Sequence, residues 1–151
     1  MKFICDSMLG KLAKKLRMLG FDTAYHHNSA ETAITEPALL GNRIILTRKT
    51  NFPVTDKNIY SLFILDNDPN EQLRQVLSHY KINKEQLNPF SRCICCNTIL
   101  KPLKKKLAEG RVADYVFNTS EHFAECNKCK KIFWNGTHYE KMSKWIDDIF
   151  R

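Results

Sequence analysis

The sequence predicts an α/β domain with a parallel sheet flanked by helices, followed by a small zinc-ribbon module. Three observations carry that reading. Short apolar runs at Phe3–Cys5, Phe21–Tyr25, Arg43–Thr47 and Ser61–Leu65 alternate with helical patterns. Two Cys-x-x-Cys knuckles, Cys93–Cys96 and Cys126–Cys129, follow the last of these patterns. Asn88-Pro89-Phe90 interrupts the alternation just before the first knuckle. The expected domains are therefore residues 1–87 and residues 88–151.

Phe3-Ile4-Cys5 reads as a buried first strand ending at Asp6 and Ser7. Leu9, Leu12, Leu16 and Leu19 then recur at spacings of three and four, one stripe of a helix whose other face is basic. Asp6 or Ser7 is the expected N-cap, and Gly20 suits the position after the helix, where positive φ is cheap. Strand, helix and strand within the first 25 residues make a βαβ unit with a right-handed crossover. Asp6 then sits at the C-terminal end of the first strand, the edge where open parallel sheets bind ligands. The basic helix face is read as solvated, with phosphate contact as its alternative.

His26 and His27 belong to a polar link. Residues 29–40 are weakly helical, and Pro37 is expected to break them. Arg43–Thr47 and Ser61–Leu65 are the third and fourth strands, and Asn70–His79 is amphipathic with Leu73, Val76 and Leu77 inward. Residues 100–117 read as basic and irregular, with one helical turn at 103–109. Phe123–Glu125 enters the second knuckle, Lys131–Trp134 leaves it as a strand, and a last helix is expected over Met142–Phe150.

The knuckles carry the strongest local chemistry. Each presents two thiolates from a tight turn, and two such turns complete the closed tetrahedral shell of structural Zn2+. Soft sulfur ligands argue against Mg2+ or Ca2+ at this site. A four-sulfur shell leaves no position for water, so the metal is expected to brace the fold. Cys95 allows a second register for the first knuckle; knuckle geometry favours Cys93 with Cys96. Cys5 reads as a buried hydrophobe, and His122 and His138 as unneeded alternative ligands.

Lysine and arginine outnumber aspartate and glutamate by 24 to 16, a net charge of +8 that favours polyanions and makes nucleic acid a natural partner. The bland alternative is solubility. No apolar run approaches the length of a membrane span, and Asp6 falls where a signal peptide would be apolar. With cysteines in metal spacing, the expected compartment is the reducing cytoplasm.

Several strings together resemble the Mut7-C family. They are Phe3-Ile4-Cys5-Asp6-Ser7-Met8-Leu9-Gly10-Lys11-Leu12-Ala13, Arg43-Ile44-Ile45-Leu46-Thr47-Arg48, Glu71-Gln72-Leu73, the two knuckles, and Phe133-Trp134 with Gly136, His138, Tyr139 and Met142. The resemblance covers nearly the whole chain. It implies a PIN-like nuclease domain followed by a zinc ribbon, with RNA as substrate. It further implies catalytic carboxylates at Asp6, Glu31 and Asp66 that hold Mg2+ or Mn2+, with Asp68 a further acid at that strand end. Lys11, Lys14, Arg17 and Arg48 are the expected substrate-binding residues.

One departure matters. The family string Leu-Thr-Arg-Asp is Leu46-Thr47-Arg48-Lys49 here, a cation in place of a ligand. Lys49 is expected either to pair with Asp6 and take the metal's place, or to point away while Asp6, Glu31 and Asp66 hold a weaker metal. Three readings remain open at this point: a metal-dependent ribonuclease, a non-cutting RNA-binding protein, and an adaptor whose ribbon docks a protein partner. Phe133, Trp134 and Tyr139 offer rings for base stacking, although a ribbon core is their favoured use.

Overall fold

The computed structural model describes residues 1–27, 32–52 and 57–150. These form two compact units, Met1–Asn97 and Thr98–Arg151.

In the first unit, β1 (Lys2–Cys5), β2 (Asp22–Tyr25), β3 (Ile44–Thr47) and β4 (Ser61–Phe63) make a fully parallel sheet of order β2-β1-β3-β4. Its central strand β1 is covered on both faces, which is why Phe3, Ile4 and Cys5 are all buried. On one face lies α1 (Gly10–Met18), whose stripe Leu12 and Leu16, with Leu9 and Leu19 at its ends, is fully buried. It packs against α3 (Pro69–His79). On the other face, α2 (Thr32–Gly41) places Ile34 and Ala38 against Ile4 and Ile45.

α2 runs through Pro37, against the expected break. The ring removes one N–H, but Ile34 and Ala38, on either side of it, are both buried. Their packing holds the helix together across the proline. Gly41 and Asn42 then end it, with Asn42 in the left-handed region (φ 48°).

Neither expected cap closes α1. Its N-cap is Leu9, without a side-chain bond, because the Asp6 carboxylate turns back to the Met8 N–H. Gly20 does end the helix with positive φ, and it has a second duty: a Cβ there would lie 2.2 Å from the Asn88 carbonyl oxygen. Asp68, an acid at the end of the fourth strand, is the N-cap of α3, accepting from the N–H groups of Asn70 (2.8 Å) and Glu71 (3.2 Å), with Pro69 at the first helical position. β4 stops two residues earlier than expected because Gln75 takes over: its amide donates to Phe63 O and accepts from Leu65 N–H.

The first unit extends ten residues past the boundary expected at 87/88. Asn88 N–H and Phe90 N–H donate to the Leu19 and Met18 carbonyls. Arg92 Nε donates to Gly20 O at 3.1 Å. Asn97 accepts from Thr23 N–H (3.0 Å) and donates to Asp22 Oδ1 (2.7 Å).

The second unit is built on an antiparallel sheet, β5 (Lys101–Leu103), β6 (Phe123–Glu125) and β7 (Ile132–Trp134), in that order. Between β5 and β6 lie a short 3-10 turn at Lys105–Ala108 and α4 (Asp114–Thr119). The segment expected to be irregular thus supplies a strand and a helix. α5 (Thr137–Ile149) starts five residues earlier than expected and buries Met142, Ile146 and Ile149 on one stripe. No helix among the described residues is long and apolar enough to cross a membrane.

Candidate metal centre and acidic site

The two knuckles share one backbone design. In the first, Asn97 N–H donates to Cys93 O at 2.8 Å and Cys96 N–H approaches Cys93 Sγ at 3.4 Å. In the second, Lys130 N–H donates to Cys126 O at 2.8 Å and Cys129 N–H approaches Cys126 Sγ at 3.5 Å. Asn97 (φ 64°) and Lys130 (φ 61°) both close their turns in the left-handed region. N–H groups aimed at sulfur stabilise thiolate over thiol.

The ligand atoms of Cys93, Cys96, Cys126 and Cys129 all lie within 4.8 Å of one another, and none of these cysteines is in a disulfide. Sulfurs at about 2.3 Å from a tetrahedral ion stand roughly 3.8 Å apart, so the group fits one ion. Cys93 and Cys126 are buried while Cys95 is exposed, which settles the register in favour of Cys93 with Cys96. Burial raises the Cys126 thiol, but the Cys129 N–H, the Thr98 hydroxyl and the Lys128 N–H outweigh it and bring its pKa to about 6. Cys5 is the opposite case: full burial, then the Asp6 charge, push its thiol far up, and it packs as a protonated hydrophobe.

Arg17, expected at the substrate, braces the first unit from within. Its guanidinium is buried and donates to Thr23 O (2.8 Å), Ile94 O (2.8 Å) and Cys95 O (2.9 Å). It therefore bolts the first knuckle loop onto α1 and β2.

At the C-terminal edge of the sheet, Asp6 is 1% exposed. Its Oδ1 accepts from Met8 N–H (2.9 Å), and its Oδ2 accepts from the Thr47 hydroxyl (2.7 Å) and Arg48 N–H (2.8 Å). A carboxylate has about four lone-pair sites, so these three donors leave one. Lys49 joins this network through its backbone, donating N–H to Thr47 Oγ1 at 3.0 Å. The donors that hold Asp6 are thus the Met8 N–H, the Thr47 hydroxyl and the Arg48 N–H. Thr47 was not singled out from the sequence, yet its place in the Leu46-Thr47-Arg48 string was the available signal.

Asp66 is exposed on the β4–α3 loop, its Oδ1 taken by Asp68 N–H at 2.7 Å. Arg48, a second expected substrate contact, holds that loop: its guanidinium donates to the carbonyls of Ile64, Leu65 and Asp66. Glu31 lies outside the described residues. Among the described residues, the four cysteines are the group of three or more metal-type ligands close enough to share an ion. Among the described residues, the fit of Mg2+ or Mn2+ at the sheet edge is carried by the buried Asp6 carboxylate, with one lone pair to spare.

Lys11 and Lys14 do come together. Both are exposed on α1 and line a cleft of about 760 Å³ with Tyr25, His27, Asn67 and Cys95.

The family described as the Mut7-C RNAse domain matches residues 1–146. The chain belongs to the Mut7-C family. The resemblance carried by the sequence strings is thereby borne out. A human protein named "Exonuclease mut-7 homolog" is 32% identical over 106 residues, covering 64% of this chain and 12% of that protein. The chain thus spans a small part of the length of the curated relative it matches. No solved structure matches it.

Proposed function

We propose that this Mut7-C chain binds RNA and hydrolyses it weakly with Mg2+ or Mn2+, its acidic centre reduced by the replacement at Lys49. The observation that carries this reading is the buried Asp6 carboxylate at the end of β1, with its lone pairs mostly occupied by fixed donors. When bound, a divalent ion supplies an activated water and neutralises charge on the phosphate. Asp6 would be its main ligand, helped by Glu31 and Asp66. Asp6 is held in one orientation by Thr47 and by the Met8 and Arg48 amides, which spares it reorganisation. Lys49 brings a positive charge to a place where the family has a negative one, and so weakens the ion's hold.

The four cysteines hold Zn2+ in this proposal, as a structural brace closed to water. Family membership supports RNA as the polymer acted on, and the name of the human relative, an exonuclease, supports nuclease chemistry.

The test is a cleavage assay on mixed RNA with and without Mn2+, using the wild type, Asp6→Asn and Lys49→Asp. Slow Mn2+-dependent cleavage, lost in Asp6→Asn and raised at least tenfold in Lys49→Asp, is expected. A wild type that binds RNA but never cuts it, with Lys49→Asp equally silent, would reduce the chain to an RNA-binding protein.

A further inference from the structure

We infer that the cleft over α1 seats one unpaired nucleotide of an RNA strand, its base against Tyr25 and His27 and its phosphate at Lys11 and Lys14. This rests on the RNA-directed reading above and adds a strand preference and the residues that impose it.

Charge comes first. Among the described residues, the cleft is lined by Lys11, Lys14, Arg17 and His27 and by no acidic residue. Arg17 is committed to carbonyls, so Lys11 and Lys14 are the lysines on its wall that face solvent. An anion is the ligand such a wall accepts. Its volume, about 760 Å³, is in the range of small-ligand sites.

The aromatic wall decides which anion. Tyr25 is the last residue of β2, at the ligand edge of the sheet, and its hydroxyl donates to Ser7 O at 3.0 Å. Gly10 lets the ring approach α1: a Cβ at that position would stand 3.2 Å from Tyr25 Cζ. The His27 ring meets Tyr25 edge-on, with centroids 4.5 Å apart and planes at 75°. Tyr25 is therefore anchored before any ligand arrives, and the exposed His27 ring packs against it. Met8, 65% exposed, adds a polarisable apolar surface on the same wall. Inorganic phosphate has no use for those surfaces, whereas a nucleobase stacks on them.

The rings also exclude a duplex. Bases in an A-form helix are stacked on their neighbours and present no free face, so ring stacking demands a splayed, single-stranded base. Location ties the seat to the acidic edge. Ser7 and Met8 line the cleft, and the Met8 N–H is the donor to Asp6 Oδ1. A strand seated here runs past the carboxylate.

The experiment measures fluorescence anisotropy of a labelled mixed-sequence oligoribonucleotide, single-stranded or annealed to its complement. It uses the full zinc-loaded chain without added Mg2+ or Mn2+. Single-strand binding about tenfold or more tighter than duplex binding is expected. His27→Ala and Tyr25→Leu should each weaken the single strand several-fold and leave the duplex unchanged, while Tyr25→Phe, which keeps the ring, binds like wild type. His27 is exposed, so its variant decides the matter if Tyr25→Leu does not fold. Lys11→Gln with Lys14→Gln should flatten the logarithmic salt dependence by about 0.7 per lysine. Saturating RNA should also slow iodoacetamide labelling of Cys95, with Cys95→Ser giving the background. Equal affinity for both strands, unchanged binding in His27→Ala, or unprotected Cys95 would overturn the inference. These readouts need no cleavage: loss of binding in the ring variants of a non-cutting protein keeps the seat and removes the nuclease, and the reverse result does the opposite.

Discussion

The Thr47 hydroxyl donates to Asp6 Oδ2 at 2.7 Å, across adjacent parallel strands and with both side chains buried. β1 and β3 each contribute the residue at or just past their last ladder position, so the pair exists only because the two strands are neighbours in register. The hydroxyl in turn accepts the Lys49 N–H, which makes Thr47 the link between Asp6 and the substituted family position.

Removing that link should be costly. Thr47→Val keeps the shape but takes one of three donors from a buried carboxylate. A loss of about 1–3 kcal/mol is expected in urea unfolding, with Thr47→Ser close to wild type. An unchanged midpoint in Thr47→Val would mean that Asp6 is satisfied without it.

Acid should weaken the first unit through Asp22. Burial raises this carboxyl, but the bonds from Arg43 (2.6 Å) and Asn97 (2.7 Å) outweigh it, and its pKa lies below the usual value. A depressed folded-state pKa adds stability that is complete above the unfolded pKa near 4 and is lost as pH falls through the lower folded value. Asp22→Asn should cost about 1 kcal/mol at neutral pH. It should also flatten the fall in stability below pH ~4, as read by urea midpoints across that range.

Metal content distinguishes the cysteines. The purified chain should carry one Zn2+, measured by elemental analysis, and chelation should unfold the second unit, because binding energy at such a site is folding energy. Cys96→Ser and Cys129→Ser should lose the ion. Cys95→Ser should retain it, since that thiol is exposed outside the cluster. A zinc-free Cys95→Ser protein would contradict the register.

Two turn-closing residues should respond differently to glycine. Lys130 sits at φ 61°, where a side chain costs roughly 1 kcal/mol, so Lys130→Gly should raise the melting temperature by a few degrees. Asn97 sits at φ 64° but also bonds Thr23 N–H and Asp22. Asn97→Gly gains the same backbone relief and loses both bonds, and it should melt below wild type. Differential scanning fluorimetry of the pair checks both signs.

Much of the fold was legible in the chain. Strand runs, the leucine stripe of α1 and the knuckle spacing are local patterns whose period follows from backbone geometry, and each appears where expected. Legibility failed where tertiary contact overrode a local signal. Pro37 signalled a break, but the buried Ile34 and Ala38 hold α2 together. The basic spacer 100–117 concealed β5, because a three-residue edge strand exists only through its pairing with β6.

The site divides the same way. Asp6 and the cysteine ligands were readable, since a carboxylate at a strand end and a Cys-x-x-Cys turn announce their chemistry locally. The duties of Arg17, Arg48 and Thr47 were not. All three act on atoms distant in sequence, with separations such as Arg17 to Cys95 and Thr47 to Asp6.

The sequence by itself determined most of the elements, the Mut7-C strings, the spacing of the four clustered cysteines and the charge excess, because each depends on residue type at short spacing. Tertiary structure alone decided which cations face solvent and which are spent on carbonyls. Lys11 and Lys14 are exposed at the cleft, while the guanidinium groups of Arg17 and Arg48 are bound to backbone carbonyls. A charge is recorded at its position in the chain, but its partner is set only when folding brings distant backbone within hydrogen-bonding reach.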